Sequence, residues 1–177
     1  DGYDIGVRTA GGSEDLDRFG TVFNRDSSTL IVALGLQDPL LEPEKRLRIQ
    51  LYGIVRTAPT GTKARILFIN GFLRNTGFES PNVTFQSIDA GDPSPYNNPL
   101  VVTRDVAYTD LRTLTVDAGT YNFLVRRADT DALVQYATQN VTLDAGKVYV
   151  ALMTGQESNA DVNLRPKIQF IELSTIN

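Results

Sequence analysis

The sequence predicts an all-β protein built from antiparallel β-sandwich units. Short segments place apolar residues at every second position, which is the period of a half-buried strand. No stretch of ten residues carries apolar residues at the spacing of an amphipathic helix. The chain also opens with a degenerate copy of a later segment. Gly-Tyr-Asp-Ile-Gly-Val-Arg at residues 2–8 is similar to Gly-Thr-Tyr-Asn-Phe-Leu-Val-Arg at residues 119–126.

The strand that organises the chain is predicted at residues 116–127. It follows a glycine turn, and every second residue is suited to a core. The opening copy has the same character, so each copy is expected to be a turn that leads into a core strand. The positions concerned are all aromatic or aliphatic: Tyr121, Phe123, Val125, Tyr3, Ile5 and Val7.

Further strands are predicted in the first third of the chain. A short one lies around residues 19–23. Residues 29–34 are apolar on both faces, which is typical of a covered strand, and Gly35 ends it. Residues 46–51 alternate basic or amide side chains with Leu and Ile, which indicates a strand with one solvated face.

Residues 57–62 are small and polar and include both Pro and Gly, as expected of a linker. We therefore place a domain boundary near Gly61, with units at residues 1–60 and 61–177.

The second unit is predicted to be β-rich throughout. Asn70-Gly71 suits a two-residue hairpin turn, but the Asn/Gly-rich run to Pro81 favours a long loop instead. A bulge is expected near Gln139-Asn140. The predicted strands cover residues 64–69, 83–88, 100–106, 112–116, 120–127, 133–143, 147–153 and 167–171. The predicted core residues are Ile66, Phe68, Val116, Tyr121, Phe123, Val125, Val150, Leu152, Ile168 and Phe170.

Four features recur in the same order in both halves. They are a Gly-Tyr strand, an acidic or glycine turn, a Val-Ala-Leu strand that ends in Gly, and a basic-Ile-Gln strand. Val32-Ala33-Leu34 thus recurs as Val150-Ala151-Leu152. The second half has extra strands from Ala64 to Val116 that the first half lacks. We expect tandem immunoglobulin- or transthyretin-like sandwiches, the first of them incomplete and represented by its C-terminal half.

Half a sandwich exposes its inner face and its sheet edges. Loss of strands before Asp1 would account for this. Alternatively, another subunit supplies the strands by donor-strand complementation, in a head-to-tail contact that propagates into filaments. A third alternative is one irregular sandwich in which the first strands pack on the complete unit. The residues expected to take part in assembly are apolar strand residues: Tyr3, Ile5, Val7, Leu30, Val32, Leu34, Ile168 and Phe170.

The composition excludes several classes of function. Cys, His and Trp are absent, which removes disulfides, thiolate or imidazole metal sites and every catalytic triad built on His or Cys. A net charge of −4 argues against a nucleic-acid surface. No apolar run is long enough to cross a membrane. We therefore predict neither catalytic residues nor a cofactor.

Acidic turns are the weak candidates for a metal site. Oxygen-rich loops suit Ca²⁺, but the spacing here lacks the pattern of a complete calcium loop, and solvated turns are the preferred interpretation. The residues concerned are Asp129, Asp131, Asp89 and Asp92.

Aromatic side chains beside Asn and Asp could form a shelf for a glycan, although core packing explains them as well. They are Tyr96, Tyr108, Phe72 and Phe78.

Four motifs of the second half point to a known family. They are Ala-Arg-Ile-Leu-Phe-Ile-Asn from residue 64, Val-Ala-Tyr-Thr-Asp-Leu from residue 106, Val-Asp-Ala-Gly-Thr-Tyr from residue 116 and Leu-Asp-Ala-Gly-Lys-Val-Tyr from residue 143. By these motifs residues 64–155 resemble one copy of the bacterial domain of unknown function 4397. Residues 2–35 look like the end of a preceding copy.

The resemblance implies an extracytoplasmic β-sandwich module, often in tandem in lipoproteins or cell-surface proteins, with no known activity. The chain departs from the family in its longer loops at residues 75–82 and 92–99. It also lacks a lipobox cysteine, so lipid anchoring is not carried over. We expect a non-enzymatic structural or adhesive protein that is secreted, periplasmic or on the cell surface, with other copies of itself or another surface protein as partners. The alternative is a carbohydrate- or ligand-binding module of a surface lipoprotein.

Overall fold

A computed structural model describes residues 2–24, 27–36, 43, 46–74, 80–90, 100–157 and 161–176. It contains β1 Gly2–Val7, β2 Asp17–Val22, β3 Ser28–Leu34, β4 Arg48–Ile54, β5 Lys63–Leu73, β6 Val83–Asp89, β7 Leu100–Val106, β8 Leu111–Asp117, β9 Gly119–Arg127, β10 Leu133–Leu143, β11 Val148–Gln156 and β12 Lys167–Leu173. In these ranges helical conformation is confined to Pro43 and to a 3-10 turn at Val162–Leu164. The all-β prediction is confirmed. No helix in the described part of the chain is long and apolar enough to span a membrane.

The chain divides into two compact units, Asp1–Val55 and Arg56–Asn177. The first unit holds two antiparallel hairpins, β1–β2 and β3–β4. The second unit holds two four-stranded sheets, with strand orders β10-β9-β6-β7 and β12-β11-β5-β8. Every strand pair in the second unit is antiparallel except β5 and β11, which run parallel over nine residue pairs from Val148↔Arg65 to Gln156↔Leu73.

Aromatic rings join the two sheets of the second unit into a β-sandwich. The rings of Phe68 and Phe85 stack with centroids 4.4 Å apart, and Phe85 stacks on Phe123 at 5.1 Å. Phe123 also meets Phe170 at 4.9 Å. Because Phe68, Phe85 and Phe123 are fully buried, each contributes about 1.5–3 kcal/mol through loss of apolar surface to water.

The predicted core is largely confirmed, with one correction on β11. Five of the predicted residues belong to the buried cluster, and three more pack against it partly buried; these eight are Ile66, Phe68, Phe123, Val125, Ile168, Val116, Tyr121 and Phe170. Val150 is buried as predicted, but it and Leu152 lie on the other face of their strand, since it is Tyr149, Ala151 and Met153 that join the cluster. Successive strand residues point to opposite sides, and β11 is apolar on both.

The expected loop after residue 69 is wrong at its start, because β5 continues to Leu73. Asn70 is fully buried within the strand, and its side chain makes three hydrogen bonds, the longest from Nδ2 to the carbonyl oxygen of Pro81 at 3.4 Å. Its Nδ2 donates to the carbonyl oxygen of Val106 at 2.9 Å, while its Oδ1 accepts from the backbone N–H of Phe72 at 3.1 Å. Asn70 therefore joins β5 to the end of β7 instead of making a turn.

The expected bulge in β10 is confirmed. The pairing of β10 with β9 shifts register three times between Leu133 and Val141, and Asn140 has a positive φ of 54°. The backbone N–H of Asn140 donates to Asn122 Oδ1 at 2.8 Å. This bond satisfies a donor that the shifted β9–β10 pairing does not use.

The two ends of the second unit lie side by side. Thr57 and Ile176 form a parallel bridge, and the N–H of Ile176 donates to the carbonyl oxygen of Arg56 at 3.2 Å. Arg56 Nε donates to the carbonyl oxygen of Ser174 at 2.7 Å. These two hydrogen bonds hold the first and last segments of the unit together.

Candidate functional site

The strand edges of the first unit are open. Among the described residues, β1 pairs with β2 alone and β3 with β4 alone. In the second unit β9 lies between β6 and β10, and β11 lies between β5 and β12. An edge strand presents a row of backbone N–H and C=O groups that can pair with another strand. We call β1–β4 the open half-unit.

The open half-unit also buries little apolar surface. Of its described residues only Leu34 and Ile49 are buried hydrophobics. Tyr3 is 52% exposed and Ile31 is 44% exposed, although both lie on strands. Tyr3 has one aromatic neighbour, Phe23, at a centroid distance of 5.4 Å. The sheets of the second unit, by comparison, enclose a continuous core.

One carboxylate links the two hairpins of the open half-unit. Asp17 on β2 accepts a hydrogen bond at its Oδ2 from the backbone N–H of Ile49 on β4, at 2.5 Å. Hydrogen bonds to charged groups are stronger than neutral ones, about 1.5–3 kcal/mol each. Asp17 begins β2, so its carboxylate connects this strand to β4.

Two glycines mark the same turn of the backbone after β3 and near the end of β11. Gly35 has φ +111°, and a Cβ placed on it would lie 2.2 Å from the carbonyl oxygen of Arg46. Gly155 has φ +106°, and its Cβ would lie 2.4 Å from the carbonyl oxygen of Arg165. The backbone approach is therefore too close for any other residue in either hairpin.

The strand registers on either side of these glycines also agree. Leu34, which precedes Gly35, pairs with Arg48, and Thr154, which precedes Gly155, pairs with Lys167. In each hairpin an isoleucine follows the basic residue and is buried, Ile49 in one and Ile168 in the other. The Val-Ala-Leu motifs that drew attention to the repeat are offset by two residues from this common register.

Ion pairs lie on the surface of the β1–β2 hairpin. Arg8 Nε bonds to the carboxylate of Asp15, and Arg18 Nη2 donates to Asp4 Oδ2 at 2.7 Å. The hydrogen bond from Arg8 holds the pKa of Asp15 below its ordinary value. The hydrogen bond to Asp4 raises the pKa of Arg18. These charges are solvated, so each pair adds little stability.

The two weak metal candidates whose side chains the structure describes, Asp129 and Asp131, each lie beside an arginine. Asp129 accepts two hydrogen bonds from Arg127, at 2.9 and 2.5 Å, and this guanidinium lowers the pKa of the carboxyl. The carboxylate of Asp131 lies 3.9 Å from Arg126 Nη1. Asp92 and the side chain of Asp89 lie outside the described part of the structure. Within that part, no group of three or more acidic side chains could hold a metal ion.

Two of the aromatic candidates for a glycan shelf, Phe72 and Tyr108, lie in the described part of the structure. Phe72 is fully buried in the core cluster of the second unit, where a ligand cannot reach its ring. Tyr108 lies partly buried in the turn between β7 and β8. Tyr96 and Phe78 fall outside the described residues.

A cleft that the sequence did not indicate opens where the two sheets separate, between β7 and β8. Its volume is about 310 Å³, at the lower end of the range for small-molecule sites. Tyr121 lines it, and the hydroxyl of this residue donates to the carbonyl oxygen of Asp117 at 2.9 Å. The other residues that line the cleft include Ser87, Leu100, Val102, Leu114 and Val116.

The predicted assembly residues divide between the two units. Tyr3, Ile5 and Val7 lie on the open strand β1, with Tyr3 the most exposed. On β3, Leu34 is buried, whereas Leu30 and Val32 are half-buried on the same side of the strand. Ile168 belongs to the core of the second unit, and Phe170 packs against it. Donation of β12 to another molecule would therefore remove two side chains from that core.

Neither a scan against protein-family models nor a search of curated proteins finds a match to this chain. The likeness to domain of unknown function 4397 stays a prediction that rests on the four quoted motifs.

Proposed function

We propose that this is a non-enzymatic structural or adhesive protein of the extracytoplasmic space, in which the open half-unit joins to complementary strands and so links polypeptides. The observation that carries the proposal is the contrast between the two units. Within the described residues, β1 and β3 each have one neighbouring strand, whereas β9 and β11 each have two. We further infer that the units are tandem copies of an immunoglobulin- or transthyretin-like sandwich, the first represented by the strands equivalent to β9–β12.

The shared glycine turn and register support this equivalence. Gly35 and Gly155 occupy the same unusual backbone conformation against the carbonyl of an arginine. If β1–β4 and β9–β12 share one arrangement, the same edge positions beside their strands are available for pairing. The places beside β1 and β3 therefore correspond to those that β6 and β5 fill in the second unit.

The energetics also favour completion. An added strand satisfies a row of backbone donors and acceptors, and it covers apolar side chains such as Tyr3 and Ile31. Burial contributes roughly 25 cal/mol for each Å² of apolar surface removed from water. β-strand addition obtains affinity from main-chain hydrogen bonds and specificity from alternate side chains.

The non-enzymatic part of the proposal rests on the inventory of side chains. The chain has no His or Cys, and Asp15 and Asp129 are paired with arginines. A carboxylate in such a pair has a lowered pKa and is a poor general base. The extracytoplasmic setting rests on the family resemblance.

The test is self-association of the purified chain, measured by sedimentation velocity over a range of concentrations. We expect assemblies that grow with concentration and that are lost in Ile31→Asp, because a charge on the open face opposes strand addition. Ile171→Asp is the matched control, since Ile171 is 49% exposed on β12 of the second unit, close to the 44% of Ile31. A monomer at every concentration, or equal loss in both variants, would contradict the proposal.

A further inference from the structure

We propose that the strand that completes the open half-unit beside β3 runs parallel to β3 and takes the place of a β5-type strand, with one of its inward residues opposite Ile31. This inference rests on the proposed function. It adds the direction, the register and the chemistry of the partner, which is an extended polypeptide segment with apolar residues at alternate positions.

The second unit provides the pattern for this pairing. β5 lies against β11 in parallel orientation, with Val148 opposite Arg65 and Ala151 opposite Phe68. Ala151 and Phe68 both belong to the core cluster, so this pair faces inward. Parallel pairing is specific to β5 and β11, because every other strand pair in the unit is antiparallel.

The two glycine turns allow the register of the β5–β11 pair to be applied to β3. When Gly35 is matched to Gly155, Leu34 corresponds to Thr154 and Ile31 to Ala151. The incoming strand then places the equivalent of Phe68 opposite Ile31. The same step places the equivalent of Arg65 opposite Ser28 and the equivalent of Gly71 opposite Leu34.

The sizes of the paired side chains constrain the partner further. The inward pair in the second unit joins a small residue, Ala151, to a large one, Phe68. At the open edge the small residue is replaced by Ile31. Cores tolerate exchange best when the total volume is kept, so the incoming strand should carry a residue smaller than Phe at this position.

The direction also excludes one simple partner. A two-fold axis that brings β3 of one molecule beside β3 of another pairs the strands antiparallel, as two-fold axes normal to a sheet do. The pairing of β5 with β11 is parallel. The occupant is therefore a different strand from β3 itself.

The experiment uses the full chain and a synthetic peptide with the sequence of residues 62–73, which includes β5. The chain has no native cysteine, so Ser28→Cys gives a single site for a nitroxide label. A second label is placed in the peptide, at Arg65→Cys in one version and at Gly71→Cys in the other. Binding is first measured by fluorescence anisotropy of a dye-labelled peptide, and the distance between labels is then measured by electron paramagnetic resonance.

In a parallel complex the label at peptide position 65 lies one strand spacing from Ser28, about 5 Å, and broadens the spectrum. The label at position 71 then lies about 20 Å away, at roughly 3.3 Å per residue. An antiparallel complex reverses the two results. A peptide with Phe68→Leu is expected to bind at least threefold more tightly than the unaltered peptide.

Saturable binding with the close contact at position 65 supports the inference. The peptide should bind at least tenfold more weakly to Ile31→Asp, with Ile171→Asp unchanged. Binding with the close contact at position 71 overturns the inference and leaves strand complementation standing. Absence of binding also overturns it, while the sedimentation of Ile31→Asp against Ile171→Asp decides the proposed function separately.

Discussion

The close approach at Gly155 leads to a quantitative prediction for Gly155→Ala. The residue has φ +106°, a conformation that is costly for any residue with a Cβ. A methyl group there would also lie 2.4 Å from the carbonyl oxygen of Arg165 and 2.6 Å from its carbon. These are backbone atoms, so a change of side-chain rotamer cannot relieve the overlap.

The two effects add to a large loss of stability. An unfavourable backbone conformation costs of order 1–3 kcal/mol. A methyl group forced into a packed site typically costs a further 1–3 kcal/mol. The free energy of unfolding of the second unit should therefore fall by about 4 kcal/mol. That is a large share of the roughly 5–15 kcal/mol of an ordinary domain.

The measurement is urea unfolding followed by circular dichroism, with hydrogen exchange of β11 and β12 to assign the transition. Gly146→Ala is the matched control. Gly146 has φ +78° but nothing within 4 Å of the position of a Cβ, so it should lose only about 1–2 kcal/mol from the left-handed conformation. If both variants lose the same free energy, the close approach at Gly155 is refuted.

Two further predictions concern a buried amide and surface carboxylates. Asn70→Ala should lower the free energy of unfolding of the second unit by about 2–4 kcal/mol in urea titrations, because the Val106 carbonyl and the Phe72 N–H lose buried partners; the exposed Asn163→Ala should change it by less than about 1 kcal/mol. The folded-state pKa values of Asp15 and Asp129 are depressed, so their contribution is present above the unfolded-state value of 3.8 and is lost as the pH falls through the folded-state values. Urea midpoints should therefore decrease as the pH is lowered below about 4, and less steeply in the Asp15→Asn, Asp129→Asn double variant; equal slopes would contradict this.

The strands were predictable from the sequence wherever one face is apolar and the other polar. β12 is such a case, since Ile168 and Phe170 alternate with Lys167 and Gln169. β11 is apolar on both faces, so the pattern could not say that Ala151 and not Val150 faces the core. Only the partners of a strand decide this, and they are distant in sequence.

Asn70-Gly71 illustrates a second limit of local patterns. The dipeptide has the chemistry of a hairpin turn. In the folded protein, the carbonyl of Val106 and the N–H of Phe72 make a buried asparagine favourable inside β5. The hydrogen bond to Val106, which is distant in sequence, outweighs the local preference for a turn. The spacing of residues in the sequence does not predict such a bond.

Open strand edges in the first unit were predictable from the sequence, but the direction and register of a strand that would pair with them were not. The motifs around Tyr3 and Val32 led to the prediction that the first unit is incomplete. Ile31, a large apolar residue of β3 that is 44% exposed, was not among the predicted assembly residues. Its correspondence to the core residue Ala151 emerges only when Gly35 is matched to Gly155.

The side-by-side ends of the second unit determine how it would respond to tension. Residues 56–57 and 175–176 run in the same direction, so the chain leaves this pair of segments in opposite directions. A pull on the chain at both sides therefore slides the segments past one another, and the bonds of Arg56 to Ser174 and Ile176 are strained together. The strands of the sandwich separate only after these hydrogen bonds have broken. In a series of such units under tension, force would act on the terminal hydrogen bonds of each unit. A unit would lengthen by unfolding once those bonds had broken.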